Sequence, residues 1–132
     1  MDRSMQPVVY LDTHIVCWLY EGLAQKFSQP EATAIDAGVL LVSPMVVLEL
    51  QSLYEVGKIL HGPDIILPTL ATDIGLQVST TTFALIAEHA CSLSWTRDPF
   101  DRLIVAEVLL LPQAQFITRD RLIRQYCGQV VR

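Results

Sequence analysis

The sequence predicts an α/β fold in which helices cover both faces of a central, mainly parallel sheet of four to five short strands. Short apolar runs alternate with segments whose apolar residues recur at helical spacing. The apolar runs are continuous rather than alternating, as expected of strands buried on both faces. Because the 132 residues contain no repeat, low-complexity tract or linker, we expect one domain spanning residues 1–132.

The first half of the chain supplies two strands and four helices. Gly38 should stop one helix, Ser43 is a cap before Pro44 at the first helical position, and Gly57 should end the next helix. Pro68 should interrupt the fourth helix. The predicted strands are 8–11 and 39–42, and the predicted helices are 13–20, 30–37, 43–56 and 63–74.

The second half of the chain continues the alternation. Pro112 should end the long helix that precedes the fourth strand. The predicted strands are 76–78 and 115–118, and the predicted helices are 82–92, 98–111 and 120–126. Residues 128–131 would make a fifth strand if they pair at the sheet edge.

Composition excludes a disordered chain and a membrane-spanning chain. The sequence is 52% hydrophobic, yet no apolar run approaches the roughly 18 residues that a membrane span needs. Its first seven residues lack the layout of a signal peptide. Cys17, Cys91 and Cys127 are odd in number and lack zinc-site spacing, so we expect them to be core thiols of a cytoplasmic protein.

Charge is distributed unevenly along the chain. The formal net charge of −5 argues against a protein that coats nucleic acid. Residues 1–96 hold three basic and ten acidic residues, whereas residues 97–132 hold six arginines and four acids. The arginines therefore gather near Asp101 and Asp120, as phosphate binding at an acidic site would require. Ordinary surface arginines explain the charge pattern, taken alone, equally well.

Several carboxylates lie where solubility alone would not place them. Asp12 and Asp120 follow apolar strands, at the sheet edge where α/β proteins bind ligands. Glu49 lies in an apolar helix with no basic residue within one turn, and Asp98 and Asp101 begin another apolar helix. Such carboxylates are costly without a compensating partner. A divalent cation, Mg²⁺ or Mn²⁺, is the simplest common partner because these ions prefer oxygen ligands.

Each of these acids also has a purely structural interpretation. Asp12 and Asp120 could cap the helices that follow them. Asp98 and Asp101 have the spacing of a capping box, with a proline between them. Glu49 has the weakest structural explanation, since no local partner is available to it. One metal site explains the five acids more economically than five separate reasons.

Four short segments stand in order along the chain: 9–14 (VYLDTH), 43–50 (SPMVVLEL), 97–106 (RDPFDRLIVA) and 117–120 (ITRD). Together they resemble the motifs of PIN-domain ribonucleases, specifically VapC, the toxin of VapBC-type toxin–antitoxin pairs. The resemblance runs from about residue 8 to residue 127, and its most specific part is the segment at 97–106.

The resemblance implies a PIN-like fold and a metal-dependent endoribonuclease, a hydrolase that cuts RNA phosphodiester bonds with Mg²⁺, or Mn²⁺, as cofactor. It carries over four acids as the catalytic and metal-binding quartet: Asp12, Glu49, Asp101 and Asp120. Asp98 becomes an accessory acid. Thr13 and Thr118 match hydroxyl positions that orient water or phosphate.

The resemblance also implies partners: a cognate antitoxin protein, a second copy in a homodimer, and an RNA substrate that could be tRNA, rRNA or mRNA. No membrane partner is expected. The apolar helices at 44–56 and 64–75 could supply the protein interfaces. His14 should lie at the rim of the site, where it either contacts substrate or is a helix-start histidine. Flanking phosphates could contact Arg97, Arg102 or Arg119.

Three alternatives belong to other classes. A haloacid-dehalogenase-like phosphatase would need a second Asp where His14 stands, and a receiver domain would need an acidic pair before its first helix. A catalytically inactive PIN-like scaffold that binds RNA or protein would be expected to lose acids that this chain keeps. Metal binding without RNA cleavage would favour the scaffold.

Overall fold

The computed structural model describes residues 6–132, so residues 1–5 of the predicted domain lie outside the described part. The strands are β1 (Val8–Leu11), β2 (Val39–Val42), β3 (Gln77–Val78) and β4 (Gln115–Ile117). The helices are α1 (Thr13–Glu21), α2 (Gln29–Ala37), α3 (Pro44–Glu55), α4 (Pro63–Ile74), α5 (Phe83–Ala90), α6 (Pro99–Leu109) and α7 (Arg121–Tyr126). A 3₁₀ turn, Ala24–Lys26, precedes α2.

The four strands form one sheet in the order β3-β2-β1-β4, and every pair of neighbours is parallel. β1 is central, with Val9 opposite Leu40 on one side and Gln115 on the other. Residues 128–131 make only an isolated bridge, between Val130 and Phe116, and not a fifth strand. The predicted α/β class and parallel sheet are therefore confirmed, with four strands.

Burial follows the continuous apolar pattern of the strands. Val9, Tyr10 and Leu11 are successive residues of β1, so their side chains point to opposite faces of the sheet, and all three are buried. Helices must therefore cover both faces, which confirms the predicted three layers. No helix among residues 6–132 is both long and apolar enough to cross a bilayer.

Two predictions fail on local details. Pro68 lies inside α4 without interrupting it, because Ile66 and Leu70 on either side are buried and hold the helix against the core. The carbonyl of Asp64, which loses its helical donor at Pro68, belongs to an exposed residue that water can reach. Cys91 is exposed rather than a core thiol, and it lies just beyond the last residue of α5.

Candidate active site

The carboxyl ends of two neighbouring strands bring three of the predicted site residues to one edge of the sheet. Asp12 directly follows β1, and Thr118 and Asp120 follow β4. The backbone N–H of Asp12 donates to the Ile117 carbonyl (3.0 Å), which extends the pairing of the two strands to this edge. The chain leaves β1 for β2 on one side and returns at β4 on the other, so the strand order reverses here. Such a reversal opens the crevice where α/β proteins bind ligands.

Asp12 is both a helix cap and part of this crevice. Its Oδ1 accepts from the Thr13 N–H (2.8 Å) at the start of α1, and its Oδ2 accepts from the Thr118 hydroxyl (2.5 Å). Burial raises the pKa of Asp12, although both of these hydrogen bonds act in the opposite direction. The charge of Asp120 raises it further. Asp12 therefore caps α1 and also lines the cleft, so the cap does not exclude a role at the site.

Glu49 finds its partner in another part of the chain. It is partly buried on α3, and its Oε1 accepts from the Thr13 hydroxyl (2.6 Å). Burial raises the pKa of Glu49, and the charges of Asp12 and Asp98 raise it as well. The hydroxyl bond lowers that pKa, and Thr13 thereby joins Glu49 to the start of α1, where Asp12 is the cap.

Asp98 and Asp101 form only one half of the predicted capping box. Asp98 caps α6 by accepting from Phe100 N–H (2.9 Å) and Asp101 N–H (3.3 Å). The reciprocal bond of a capping box is not made, because the Asp98 N–H donates instead to the Thr96 hydroxyl (3.2 Å). The Asp101 carboxylate is therefore not consumed by the cap and lines the same cleft as Asp12.

The pKa of the Asp101 carboxyl group lies well above the ordinary value of an aspartate. Burial, the largest cause, raises its pKa to about 7 together with the charges of four neighbouring acids: Asp98, Asp120, Asp12 and Glu49. Like charges that face one another without a cation disfavour ionisation. The raised pKa therefore records the proximity of all five acids.

Asp120 caps α7 and is tied to Asp12 through one threonine. Its Oδ1 accepts from the Ile123 N–H (2.9 Å). The Thr118 hydroxyl accepts from the Asp120 N–H (3.0 Å) while it donates to Asp12. Thr118 is fully buried, so this bridge holds the ends of β1 and β4 in a fixed relation.

These groups enclose an open cleft of about 360 Å³. Its lining residues are Asp12, Thr13, His14, Glu49, Asp98, Asp101, Arg119 and Asp120. All four acids of the predicted quartet and the accessory acid thus meet in one place, with His14 exposed on the wall. Thr118 is not among the lining residues and contributes from below through Asp12 and Asp120.

The three arginines predicted to bind substrate differ in their position relative to the cleft. Arg119 lines the cleft, whereas Arg97 and Arg102 do not. Arg97 is exposed. Arg102 donates through Nε to the Thr96 carbonyl (2.7 Å) and so fixes the loop before α6.

Glu31 is a charged residue at this site that the sequence analysis missed. It is buried on α2 and forms an ion pair with Arg119. The only sequence signal for it was the spacing of Ser28 and Glu31, which is that of a capping box. The box is formed, with Ser28 N–H donating to Glu31 Oε1 (2.8 Å) and Glu31 N–H donating to Ser28 Oγ (3.2 Å).

The donor set of the cleft is suited to a hard cation. Within residues 6–132, no three His, Cys, Asp or Glu side chains already stand in the geometry of a metal centre. The groups that line the cleft are nevertheless five carboxylates with a threonine hydroxyl, which are oxygen donors of the kind Mg²⁺ prefers. Mg²⁺ also keeps several of its waters and needs few direct protein contacts. The residues present therefore fit the ion.

Comparison with known proteins gives a likeness of fold. No protein-family model matches the sequence, and no curated protein matches it. Among solved structures, the chain is similar to a chain in the crystal structure of VapBC2 from Rickettsia felis. In that structure VapBC2 is bound to a DNA fragment from its own promoter. The two share 14% sequence identity over 94% of this chain and 96% of that one, with a TM-score of 0.65.

The chain has a PIN-like fold. The fold that the four sequence motifs implied is therefore confirmed. At 14% identity this likeness shows the fold alone, so the chemistry of the cleft is argued from its own residues.

Proposed function

We propose that the protein is a metal-dependent endoribonuclease that acts as the toxin of a toxin–antitoxin pair. The observation that carries the proposal is the convergence of five carboxylates in one cleft at the carboxyl edge of the sheet. Burial and the charges of the other four acids together raise the pKa of Asp101 to about 7. A stable protein would not gather these charges for folding alone, since each adds an electrostatic cost that a bound cation would remove.

Asp12, Glu49, Asp101 and Asp120 would hold Mg²⁺ or Mn²⁺. When bound, such an ion activates water and neutralises charge on the phosphoryl group during hydrolysis. Thr118 and Thr13 orient the acids: the Thr118 hydroxyl donates to Asp12, and the Thr13 hydroxyl donates to Glu49. Asp98 fixes the first turn of α6 and so presents Asp101 to the cleft.

An RNA strand would reach this cleft from the open side. His14 is exposed on the wall of the cleft, and exposed Arg97 precedes Asp98 in the loop that leads into α6. Both can contact backbone phosphates outside the acidic centre. A single-stranded loop of a tRNA, an rRNA or an mRNA fits this need, because its backbone can enter where a duplex cannot.

An antitoxin and a second copy of the chain would cover apolar surface. Leu48 and Tyr54 on α3, Val56 and Leu60 after it, and Ile65 on α4 are large apolar side chains that are 45–88% exposed. Exposed apolar residues grouped in one region mark interaction surfaces. A basic side chain from an antitoxin would also be attracted to the five acids and would displace the cation from the cleft.

The proposal is tested by cleavage of a mixed tRNA and rRNA pool, with Mg²⁺ and with EDTA. We expect cutting with Mg²⁺, its loss in EDTA, and its loss in Glu49→Gln, which keeps the shape of the side chain. Glu55→Gln is the matched control, because Glu55 is exposed on the same helix and lies outside the cleft. Folded, partner-free protein that cuts nothing with Mg²⁺ or Mn²⁺ would instead support the non-catalytic scaffold.

A further inference from the structure

Arg119 is a basic residue that lines the acidic cleft, yet its ion-pair partner lies outside the cleft. It lines the same cavity as five carboxylates and directly precedes Asp120 in the sequence. Within residues 6–132, however, its ion pair is with Glu31, and no salt bridge joins it to an acid of the cleft. Burial and the other four acids of the cleft raise the pKa of Asp101. The guanidinium is thus close to the cleft and directed away from it.

Several contacts hold the guanidinium in this position. Nη1 and Nη2 both donate to the Glu31 carboxylate, and Nη2 also donates to the Lys26 carbonyl (3.0 Å). The guanidinium carbon lies 5.4 Å from the centre of the Trp18 ring, within cation–π distance. Two donors that meet one carboxylate form a bidentate pair, which fixes the plane of an arginine as well as its place.

Glu31 is built to be a stationary acceptor. Its side chain is only 1% exposed, while that of Arg119 is 32% exposed. Glu31 is fixed at the start of α2 by the reciprocal bonds with Ser28. The bonds from Arg119 and Ser28 lower the pKa of Glu31 despite its burial, so it keeps its charge at neutral pH. Of the two side chains, that of Arg119 is the more exposed, so it is the one that would turn if the pair were broken.

We propose that Glu31 is a positioning residue that holds Arg119 back from the acidic cleft and so keeps the cleft open for the cation. This inference rests on the proposed metal site. Without the Glu31 charge, the guanidinium would turn toward the five cleft carboxylates, which attract it more strongly than solvent does. It would form an internal salt bridge there and compete directly with the ion.

The test measures Mn²⁺ binding to the full chain without RNA. The electron paramagnetic resonance signal of free Mn²⁺ reports how much of the ion remains unbound. In Glu31→Gln, glutamine can still complete the capping box with Ser28, and thermal unfolding checks that the variant is folded. We expect its Mn²⁺ affinity to fall by about tenfold or more, because a charged competitor enters the site. The double variant Glu31→Gln/Arg119→Gln should recover an affinity within about twofold of the starting protein, since it restores the net charge and removes the competitor.

A matched control separates this effect from a general loss of negative charge. Asp36→Asn removes one acid from the same helix, at an exposed position that does not contact Arg119. It should leave Mn²⁺ affinity unchanged. Equal weakening in Asp36→Asn and Glu31→Gln would overturn the proposal, because distant charge alone would then explain the loss.

The remaining outcomes also decide the matter. A folded Glu31→Gln that binds Mn²⁺ as tightly as the starting protein would overturn the positioning role and leave the proposed metal site intact. A double variant as weak as Glu31→Gln would overturn it too, since Arg119 would not be the competitor. A starting protein that binds no Mn²⁺ would overturn both this inference and the proposed function.

Discussion

The cleft acids and the interior glutamates show two different ways to keep carboxylates in a folded chain. Glu31 and Glu107 are 1% and 0% exposed, so both are more buried than any acid of the cleft. Each has a partner within the chain, since Glu31 pairs with Arg119 and Glu107 accepts from the Tyr10 hydroxyl (2.8 Å). The cleft acids chiefly face one another. Burial alone therefore does not mark a candidate site, whereas clustering without an internal cation does.

The difference also separates stability from activity. The interior pairs join elements of the fold: Glu31–Arg119 ties α2 to the end of β4, and Glu107–Tyr10 ties α6 to β1. The cleft acids repel one another, so removing the charge of Asp101, which caps no helix, should relieve the fold while it harms the proposed catalysis. Removing a capping acid such as Asp120 would also remove a bond to the start of its helix.

The largest expected effect is on activity, in Asp12→Asn. The asparagine oxygen can still accept from the Thr13 N–H, and its amide nitrogen can form a hydrogen bond with the Thr118 hydroxyl. Asparagine lacks the charge that would hold the cation. We expect the cleavage rate to fall by about 100-fold or more, with the protein still folded. Single-turnover cleavage measures the rate and thermal unfolding measures the stability. Cleavage at the original rate by this variant would remove Asp12 from the catalytic quartet.

The next effect is on stability, in Tyr10→Phe. The change removes the hydroxyl that donates to Glu107 Oε2, and Glu107 Oε1 already has no hydrogen-bond partner among the described residues. We expect the free energy of unfolding to fall by about 1–3 kcal/mol, the usual cost of an unsatisfied buried group. Urea titration measures it.

A second change shows whether the cost belongs to that group. Tyr10→Phe combined with Glu107→Met replaces the polar pair with apolar side chains of similar size, so most of the lost stability should return. If the double variant is no more stable than Tyr10→Phe, packing of the ring and not the orphaned carboxyl explains the loss.

The smallest effect is on the pH dependence of stability, in Asp101→Asn. Because the pKa of Asp101 is raised to about 7 in the folded state, the folded protein binds its proton more tightly than the unfolded chain. The metal-free protein should therefore lose stability as pH rises from about 4, the ordinary Asp value, through about 7. Asp101→Asn should flatten this decline and be more stable by roughly 1 kcal/mol at pH 8, allowing for solvent screening.

Chemical denaturation at pH 5 and pH 8, with EDTA present, measures the decline. Saturating Mg²⁺ should restore stability at pH 8 in the starting protein and less so in the variant, because a ligand stabilises the state that binds it. The same slope in both proteins would mean that Asp101 does not carry the cluster's excess charge.

Strand positions were predictable because they depend on short apolar runs. The predicted strands 8–11 and 39–42 agree with β1 and β2 residue for residue. Helix ends were predicted less well, since 82–92 was expected and α5 is Phe83–Ala90. Continuity through Pro68 could not be predicted locally, because it depends on Ile66 and Leu70 being buried by other elements.

The meeting of the carboxylates could be predicted because the ends of parallel strands lie at one edge of the sheet. The ion pair of Arg119 beside them could not be predicted. The pairing of Glu31 with Arg119 joins residues 88 positions apart, and only the packing of α2 beside the end of β4 brings them together. The Thr13–Glu49 bond, between residues 36 positions apart, was hidden for the same reason. Hydrogen-bond partners within one helical turn can be predicted from a sequence, whereas partners in different layers of the fold cannot.

The bridge beside β4 has a consequence for how other chains can attach. Phe116 N–H donates to the Gln129 carbonyl and Val131 N–H donates to the Phe116 carbonyl, both at 2.9 Å. The outer border of β4 is thus already hydrogen-bonded, and the opposite border is the two-residue strand β3. Among residues 6–132, neither border offers a long row of free backbone groups, so this sheet is protected from extension by a foreign strand. A partner would therefore bind this part of the molecule through side chains rather than by adding a strand.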